Sequence, residues 1–293
     1  VGIIAIGVFR INRRKGKKKM LPIAIQLYSV RDEAQSDFEA TLRELKEYGY
    51  EGVEFAGLYG KDPAEIAALL KEIGLVPVSA HVSLPELLAD TDKVIKDYTT
   101  VGCKNIAIPW LAAEDRPGGS NYDNFVKTVE ALGKKLAAAG IALSYHNHDF
   151  EFERLENGNF GFDNLYDTVD PALLKMQMDT CWVSVAGQSP IHYLEKYKNR
   201  CPLLHLKDYV GEKSNNMYAL IGVDGEVKEK EVRAFEFRPV GSGVQRFLPI
   251  IEKAKECGVE WLIVEQDEPT PNMSRLECAK ESIENLKKMI ENR

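Results

Sequence analysis

The sequence predicts a (β/α)8 barrel, and three observations carry that prediction. Short apolar runs rich in β-branched residues alternate with amphipathic stretches from Leu21 onward, and eight such runs can be placed. Strands alternating with helices imply a parallel sheet, and eight strands are the number that closes a barrel. One phrase also recurs: helical pattern, Gly, buried run. It is legible in EYGYEGVEF, EIGLVPVSA, AAGIALSYH and ECGVEWLIVE. Length agrees, because a barrel of this kind needs about 250 residues and the chain has 293. A doubly wound open sheet is the competing arrangement, but no GxGxxG follows the first strand, which removes its commonest signature.

Taken in order, the expected strands are Ile23–Tyr28, Gly52–Phe55, Val76–Ala80, Asn105–Pro109, Ala142–His146, Lys175–Met178, Leu203–Leu206 and Trp261–Glu265. Four helices stand out between them. Phe38–Tyr48 carries Phe38, Leu42 and Leu45 at helical spacing, and Pro63–Ile73 carries Ile66, Leu69, Leu70 and Ile73. Phe125–Ala139 and Phe247–Cys257 complete the set. Gly74, Gly140 and Gly258 stand just past helix ends, where Gly accepts the left-handed backbone that stops a helix. The segment Gly211–Arg238 breaks the rhythm: it is polar, contains GVDGEV and follows the seventh strand. It reads as a long loop or hairpin over the mouth.

Residues 1–20 do not fit the barrel. VGIIAIGVF is apolar but too short to span a bilayer. Its basic run, Arg13, Arg14, Lys15, Lys17, Lys18 and Lys19, follows the apolar stretch, whereas a secretory signal puts its charges first. Residues 1–20 are therefore expected to be an extension, disordered or artefactual, with a short membrane anchor as the lesser alternative. Residues 21–293 are expected to form one barrel domain.

The formal net charge is −7, with acidic residues spread along the chain. That argues against a general nucleic-acid binder, which needs basic surface to displace counterions. The five cysteines, Cys103, Cys181, Cys201, Cys257 and Cys278, show no CxxC spacing. They read as free thiols of a reducing compartment, so a cytoplasmic location is expected. No membrane partner is expected, and the chain is compatible with a homo-oligomer.

Chemistry in a parallel barrel is built at the C-terminal ends of the strands. Those ends are rich in metal-ligating residue types. In strand order they are Gln26 and Tyr28, Glu54, His81, the Tyr145-His146-Asn147-His148-Asp149 run, Asp179, then His205, Lys207 and Asp208, and finally Glu265, Gln266 and Asp267. Four of the five histidines fall there, and only His192 does not. Mixed imidazole and carboxylate donors suit Mn²⁺, Zn²⁺, Co²⁺ or Fe²⁺ better than Ca²⁺, and Mg²⁺ is also compatible. Each residue has a plainer reading. Asp179 before Thr180 could cap a helix, His205 could pack between leucines, and Glu54 could pair with a lysine. The metal reading draws its weight from the set.

The segments AIQLYSVRD, GYEGVEFAG, VSAH, LSYHNHDFEF, KMQMDTCW, LLHLKDY, RPVGSGVQRF and WLIVEQDEP together resemble the sugar phosphate isomerase/epimerase superfamily, the xylose isomerase-like TIM barrels. The resemblance runs from about Leu21 onward. It implies one divalent metal ion held at the ends of strands five to eight, in much of that family by Glu, Asp, His and Glu. The last three are matched by Asp179, His205 and Glu265. At the first, this chain has His146, with His148 as the alternative ligand, and the histidine that is not a ligand is a candidate acid or base beside Glu265. The HNH form is similar to subgroups described as dehydratases or lyases acting on keto-inositols and 3-keto-sugars.

The expected activity is that of a metal-dependent isomerase or epimerase on a keto-sugar. A metal ion on a carbonyl and its neighbouring hydroxyl stabilises an enediolate, and Glu265 or a histidine removes the α proton. The alternative is a lyase or dehydratase on a keto-sugar, 3-keto-glycoside or keto-inositol, which shares that first step. A DNA-repair endonuclease and a non-catalytic sugar-binding barrel rank lower. Gln26, Glu54, His81, Trp110, Lys207 and Arg238 are the expected substrate contacts. Trp110 reads equally as a flat face for a sugar ring and as packing. Arg238 could hold a carboxylate, a phosphate or a hydroxyl pair, or the PVGSG stretch beside it could be a turn. Lys207 could simply pair with Glu265.

Overall fold

The computed structural model describes residues 20–213, 217 and 235–291. Seven parallel strands come first: β1 (Ile23–Gln26), β2 (Gly52–Ala56), β3 (Val76–His81), β4 (Asn105–Ile108), β5 (Ala142–His146), β6 (Lys175–Asp179) and β7 (Leu203–Leu206). A short antiparallel pair follows, β8 (Asp208–Val210) with β9 (Glu236–Arg238), and the chain returns as β10 (Trp261–Val264). The order β1-β10-β7-β6-β5-β4-β3-β2 closes on itself. The open-sheet alternative is thereby set aside.

The Gly stops behave as their chemistry requires. Gly49 and Gly74 end the helices Phe38–Tyr48 and Pro63–Ile73 with φ of 102° and 79°. Their backbone N–H groups satisfy carbonyls of the last turn, Leu45 and Leu70. Gly52 opens β2 for a different reason. A Cβ there would meet Val78 Cγ2 at 2.7 Å and the Val76 carbonyl at 2.8 Å, so the closed base of the barrel admits no side chain at that point.

Alternation along each strand divides the structure into two cores. Outward-facing residues of the strands pack with the helices in one large cluster that includes Ile25, Val53, Phe55, Leu143, Met176, Met178, Leu204, Leu206 and Leu262. Inside the barrel a small apolar layer of Ala24, Val78, Leu203 and Ile263 forms the floor. Two residues further along, the same faces carry Gln26, His205 and Glu265. A polar layer therefore sits directly on an apolar one, at the C-terminal mouth.

The first strand is shorter than expected. It stops at Gln26 because the Gln26 side chain accepts the Tyr28 N–H at 3.0 Å and turns the chain into the 3-10 segment Leu27–Val30. Tyr28 thus belongs to the rim. The expected hairpin exists at its base, where Asp208 pairs with Arg238 and Val210 with Glu236. GVDGEV and most of the intervening segment lie outside the described residues, as do residues 1–19. The five cysteines are unpaired and buried. Among the described residues, no helix is long and apolar enough to cross a membrane.

Candidate metal centre

Cross-strand register brings the polar layer together. Gln26 lies beside Glu54, His146 beside Gln177, and Asp179 beside His205. Among the described residues two groups of donors converge closely enough for one ion. His146, Asp179, His205 and Glu265 offer atoms within 4.8 Å of one another, and His81, His146 and His205 form a second group sharing two members. The first is the better match to a dication because it supplies two anionic oxygens.

Each donor is oriented by neighbours. His205 sits between two carboxylates, with Nδ1 2.9 Å from Glu265 Oε2 and Nε2 2.8 Å from Glu54 Oε1. Burial would lower its pKa, but the two carboxylates raise it to about 10. Both ring nitrogens then carry protons, and a cation binding at the Glu265 side would displace the one on Nδ1 while Glu54 holds the one on Nε2. His146 is set by Gln177. Gln177 donates its amide N–H to Glu54 Oε2 at 2.5 Å, so its oxygen is an acceptor toward His146 Nδ1 at 3.1 Å and His81 Nε2 at 2.6 Å. Both rings must then carry a proton on the nitrogen facing Gln177. For His146 that leaves Nε2 as a lone pair, 3.7 Å from Asp179 Oδ2 and 4.0 Å from Glu265 Oε2. Burial, then the charge on His205, hold His146 well below the usual imidazole range.

Both readings of Asp179 hold, one oxygen each. Oδ1 caps the helix Thr180–Val185, accepting from the N–H groups of Cys181 at 2.7 Å and Trp182 at 3.2 Å. Oδ2 faces the donor group, buried, with Lys207 Nζ at 3.1 Å but no hydrogen bond of acceptable geometry. Burial raises the Asp179 pKa, and Lys207 only partly offsets this. Glu265 moves the other way: burial would raise it, yet Lys207 and His205 hold it well below the carboxylate range. Lys207 is one cation against the two carboxylates Asp179 and Glu265, and the imidazole lone pair of His146 beside them is a donor that an ammonium does not use but a metal ion does. The residues therefore fit a divalent ion.

The remaining expected residues separate into those that line the cleft and those that do not. A cleft of about 500 Å³ above the donors is lined by Tyr28, Ser83, Glu86, Pro109 and Trp110, and by His81, His146, His148, Lys207, Glu265 and Asp267. Its size suits a sugar-sized molecule. Gln26 and Glu54 do not reach it. Both are 0% exposed, and Gln26 donates to Glu54 at 2.7 Å. Glu54 lies beneath His205 and His81 and orients them, with histidines rather than a lysine as its partners. Burial would raise its pKa, but His81 and His205 outweigh this and hold it well below the usual range. Arg238 also stays out of the cleft. It belongs to the hairpin, not to a barrel strand end, and its guanidinium pairs with Glu236 at 2.5 Å. PVGSG has a structural use. Asp208 Oδ2 accepts the N–H groups of Gly241 and Gly243, and Oδ1 that of Gln245.

The HNH run divides by position. His146 joins the donor group and His148 does not. His148 is packed against Trp110, Phe150 and Trp182, at ring separations of 4.9, 5.3 and 5.4 Å. Its Nδ1 has no hydrogen-bond partner. Burial, then Lys207, push its pKa well below the imidazole range, so it is neutral near pH 7. Trp110 both packs on His148 and lines the cleft. Asn147 ties the run to β6 by accepting the Asp179 N–H at 2.9 Å.

Two residues of consequence were not anticipated. Gln177 precedes Asp179 by two positions, so strand alternation alone puts it on the same inward face, but an uncharged amide gives no chemical signal. Glu151 accepts the His148 N–H at 2.8 Å and the Tyr145 hydroxyl. It also borders a larger neighbouring cleft of about 700 Å³, with Arg116, Phe150 and Arg154, that contains none of the converging donors.

Comparison with known proteins agrees with this fold. An inosose dehydratase of Mesomycoplasma hyopneumoniae (strain J) is 25% identical over 281 residues, spanning 86% of this chain and 89% of that protein. A solved sugar phosphate isomerase/epimerase from Parabacteroides distasonis superposes with a TM-score of 0.74 at 20% identity, covering 92% of this chain and 98% of the other. The IolI protein, solved with a bound zinc atom, gives a TM-score of 0.66 at 12% identity, over 93% and 99% of the two chains. The model of the xylose isomerase-like TIM barrel matches residues 42–289, a span that includes every donor named above. With a closed barrel, donors at its C-terminal mouth and that match, the chain belongs to the xylose isomerase-like TIM barrel family.

Proposed function

We propose that the chain is a divalent-metal-dependent lyase that removes water from a polyhydroxylated ketone, a keto-sugar or keto-inositol. The observation that carries this reading is the pair of neutral imidazoles at the cleft: His146 within the donor group, and His148 on the wall with Nδ1 unpartnered. His146, Asp179, His205 and Glu265 would hold the ion. When bound, it supplies Lewis-acid polarisation of a substrate carbonyl and its neighbouring hydroxyl, which acidifies the adjacent C–H. The zinc of the IolI protein supports a divalent ion of this kind, among which Mn²⁺, Zn²⁺, Co²⁺ and Fe²⁺ suit the donors best.

The chain's own residues account for the proton movements. His148, neutral and in the cleft wall, takes the α proton. The electron pair of that C–H bond becomes the new carbon–carbon double bond, and the β C–O bond breaks. His148, now an imidazolium, returns the proton to the departing hydroxyl, which leaves as water. One group thus serves as base and then acid on one face of the substrate. Trp110 offers an apolar face against which the C–H face of a ring packs. Epimerisation differs in needing groups on both faces of the carbon. The family resemblance implies a second metal-site carboxylate where this chain has His146, and Glu265 is engaged with His205 and Lys207. The inosose dehydratase relative supports the same choice over isomerisation.

The test is to incubate the Mn²⁺-loaded protein with a keto-inositol and, separately, a ketohexose in deuterated water. The expected product has lost one water by mass. His148→Ala should keep its metal and lose about 10²- to 10⁴-fold in turnover. Deuterium at the α carbon or an epimeric product, with no water lost, would assign the isomerase or epimerase reaction instead.

A further inference from the structure

Lys207 lies in the floor of the cleft and is 1% exposed. A buried ammonium needs anionic partners, and Lys207 has three: Glu265 Oε2 at 2.9 Å, Asp267 Oδ2 at 3.0 Å and Asp179 Oδ2 at 3.1 Å. The rings of Trp182 and Phe237 cover it, 5.4 and 5.7 Å from Nζ. Two of the three oxygens are the atoms that face the His146 Nε2 lone pair, at 3.7 and 4.0 Å. The ammonium therefore draws on the same Asp179 and Glu265 oxygens that the donor group would present to an ion. Asp267 is different, since it contacts Lys207 but is not in the donor group.

We propose that Lys207 is a resident counter-cation that competes with the metal ion for Asp179 and Glu265 and so sets the metal affinity of the site. The inference rests on the metal reading above. Without the ion, Lys207 is the cation at Asp179 Oδ2 and joins His205 in neutralising Glu265. When an ion enters, it repels the ammonium, and the two cations must divide the shared oxygens. Asp267 is the anchor that lets Lys207 give ground without losing all its partners. The energy spent in loosening Lys207 is subtracted from metal affinity, which keeps the ion exchangeable. Lys207 in this role is a positioning residue, acting through Asp179 and Glu265.

The experiment measures Mn²⁺ binding by titration calorimetry and melting of the metal-stripped full chain, for wild type, Lys207→Met and Lys207→Gln. The expected result is a lower melting temperature for the metal-stripped variants and a Kd for Mn²⁺ at least about tenfold tighter than wild type, since a repelling charge has been removed from a low-dielectric site. If a metal-stripped variant does not fold, recovery of a cooperative transition on adding Mn²⁺, at concentrations below the wild-type Kd, is the equivalent positive result. An unchanged or weaker Kd in both variants, with wild type binding Mn²⁺, overturns the inference and leaves the metal reading standing. Binding by the variants but not by wild type supports the inference in its strongest form. Absence of binding in all three chains overturns both.

Discussion

Glu54 does not line the cleft, yet it accepts from His205 Nε2 at 2.8 Å and from the amides of Gln26 and Gln177, and lies 3.1 Å from His81 Nε2. Carboxylates behind a ligating histidine fix its tautomer and increase its basicity. Glu54→Gln keeps the shape but loses the charge, so metal affinity should fall about 10- to 100-fold with the fold retained. Calorimetric titration with Mn²⁺ checks this, and wild-type affinity would remove the orienting role. Alternation in GVEFA already turns Glu54 inward, so its direction was legible in the sequence. Its partners were not, because they come from β1, β3, β6 and β7, and only barrel closure brings those strands round it. Glu151 makes a separate prediction about pH. Burial raises its carboxyl to about 7 despite the Tyr145 hydroxyl and the His148 N–H. The folded chain then keeps a proton that the unfolded chain, with an ordinary value of 4.5, has released. Stability is fully present below pH 4.5, declines as pH rises toward 7, and levels above it. The decline amounts to about 3 kcal/mol at most. Glu151→Gln imitates the protonated carboxyl and should abolish that decline. Denaturant unfolding at pH 5 and pH 8 tests it, and a wild-type-to-variant difference equal at both pH values would refute it.

At the scale of elements, legibility follows from how much local chemistry each one carries. The buried strands were placed to within a residue or two because their apolar runs are bounded by breakers: ALSYH follows Gly140 and LLHL follows Pro202. Two long helices, Phe38–Tyr48 and Pro63–Ile73, begin at Asp37 and Asp62, whose side chains accept helix N–H groups, and stop at Gly. The short helices Leu84–Ala89, Thr180–Val185 and Pro190–Lys196 went unrecognised individually. Six or seven residues make fewer than two turns, too few for a 3.6-residue period to declare itself. Arg238 was misplaced for a related reason. The rule that strand ends carry chemistry holds for strands of the barrel, and β9 is outside it. β9 pairs with β8, and the turn that follows it is fixed by the Asp208 clamp, which depends on Gly243. A Cβ at that position would stand 2.3 Å from Asp208 Oδ1, so the last glycine in PVGSG is required by this backbone approach.

For the whole molecule, the donor group ties together β5, β6, β7 and the residue following β10, which are neighbours around half of the closed sheet. An ion bound there would bridge strands whose sequence separation exceeds a hundred residues, from His146 to Glu265, and would do so only in the folded chain. Binding to the native state alone stabilises it in proportion to the logarithm of free ion over Kd, about 2.7 kcal/mol at a hundredfold excess. For a chain of this size each kcal/mol is worth roughly 2–4 °C, so saturating Mn²⁺ should raise the melting temperature by roughly 5–10 °C. A chelator should reverse the shift. Asp179→Ala and His205→Ala should melt at temperatures independent of Mn²⁺, because each removes one donor from a group of four. His148→Ala should keep the full shift, since His148 packs on Trp110 and Phe150 rather than joining the donors. Differential scanning calorimetry on the four chains separates these outcomes. A Mn²⁺ shift preserved in both Asp179→Ala and His205→Ala would mean that the ion binds elsewhere and that the converging donors serve the fold alone.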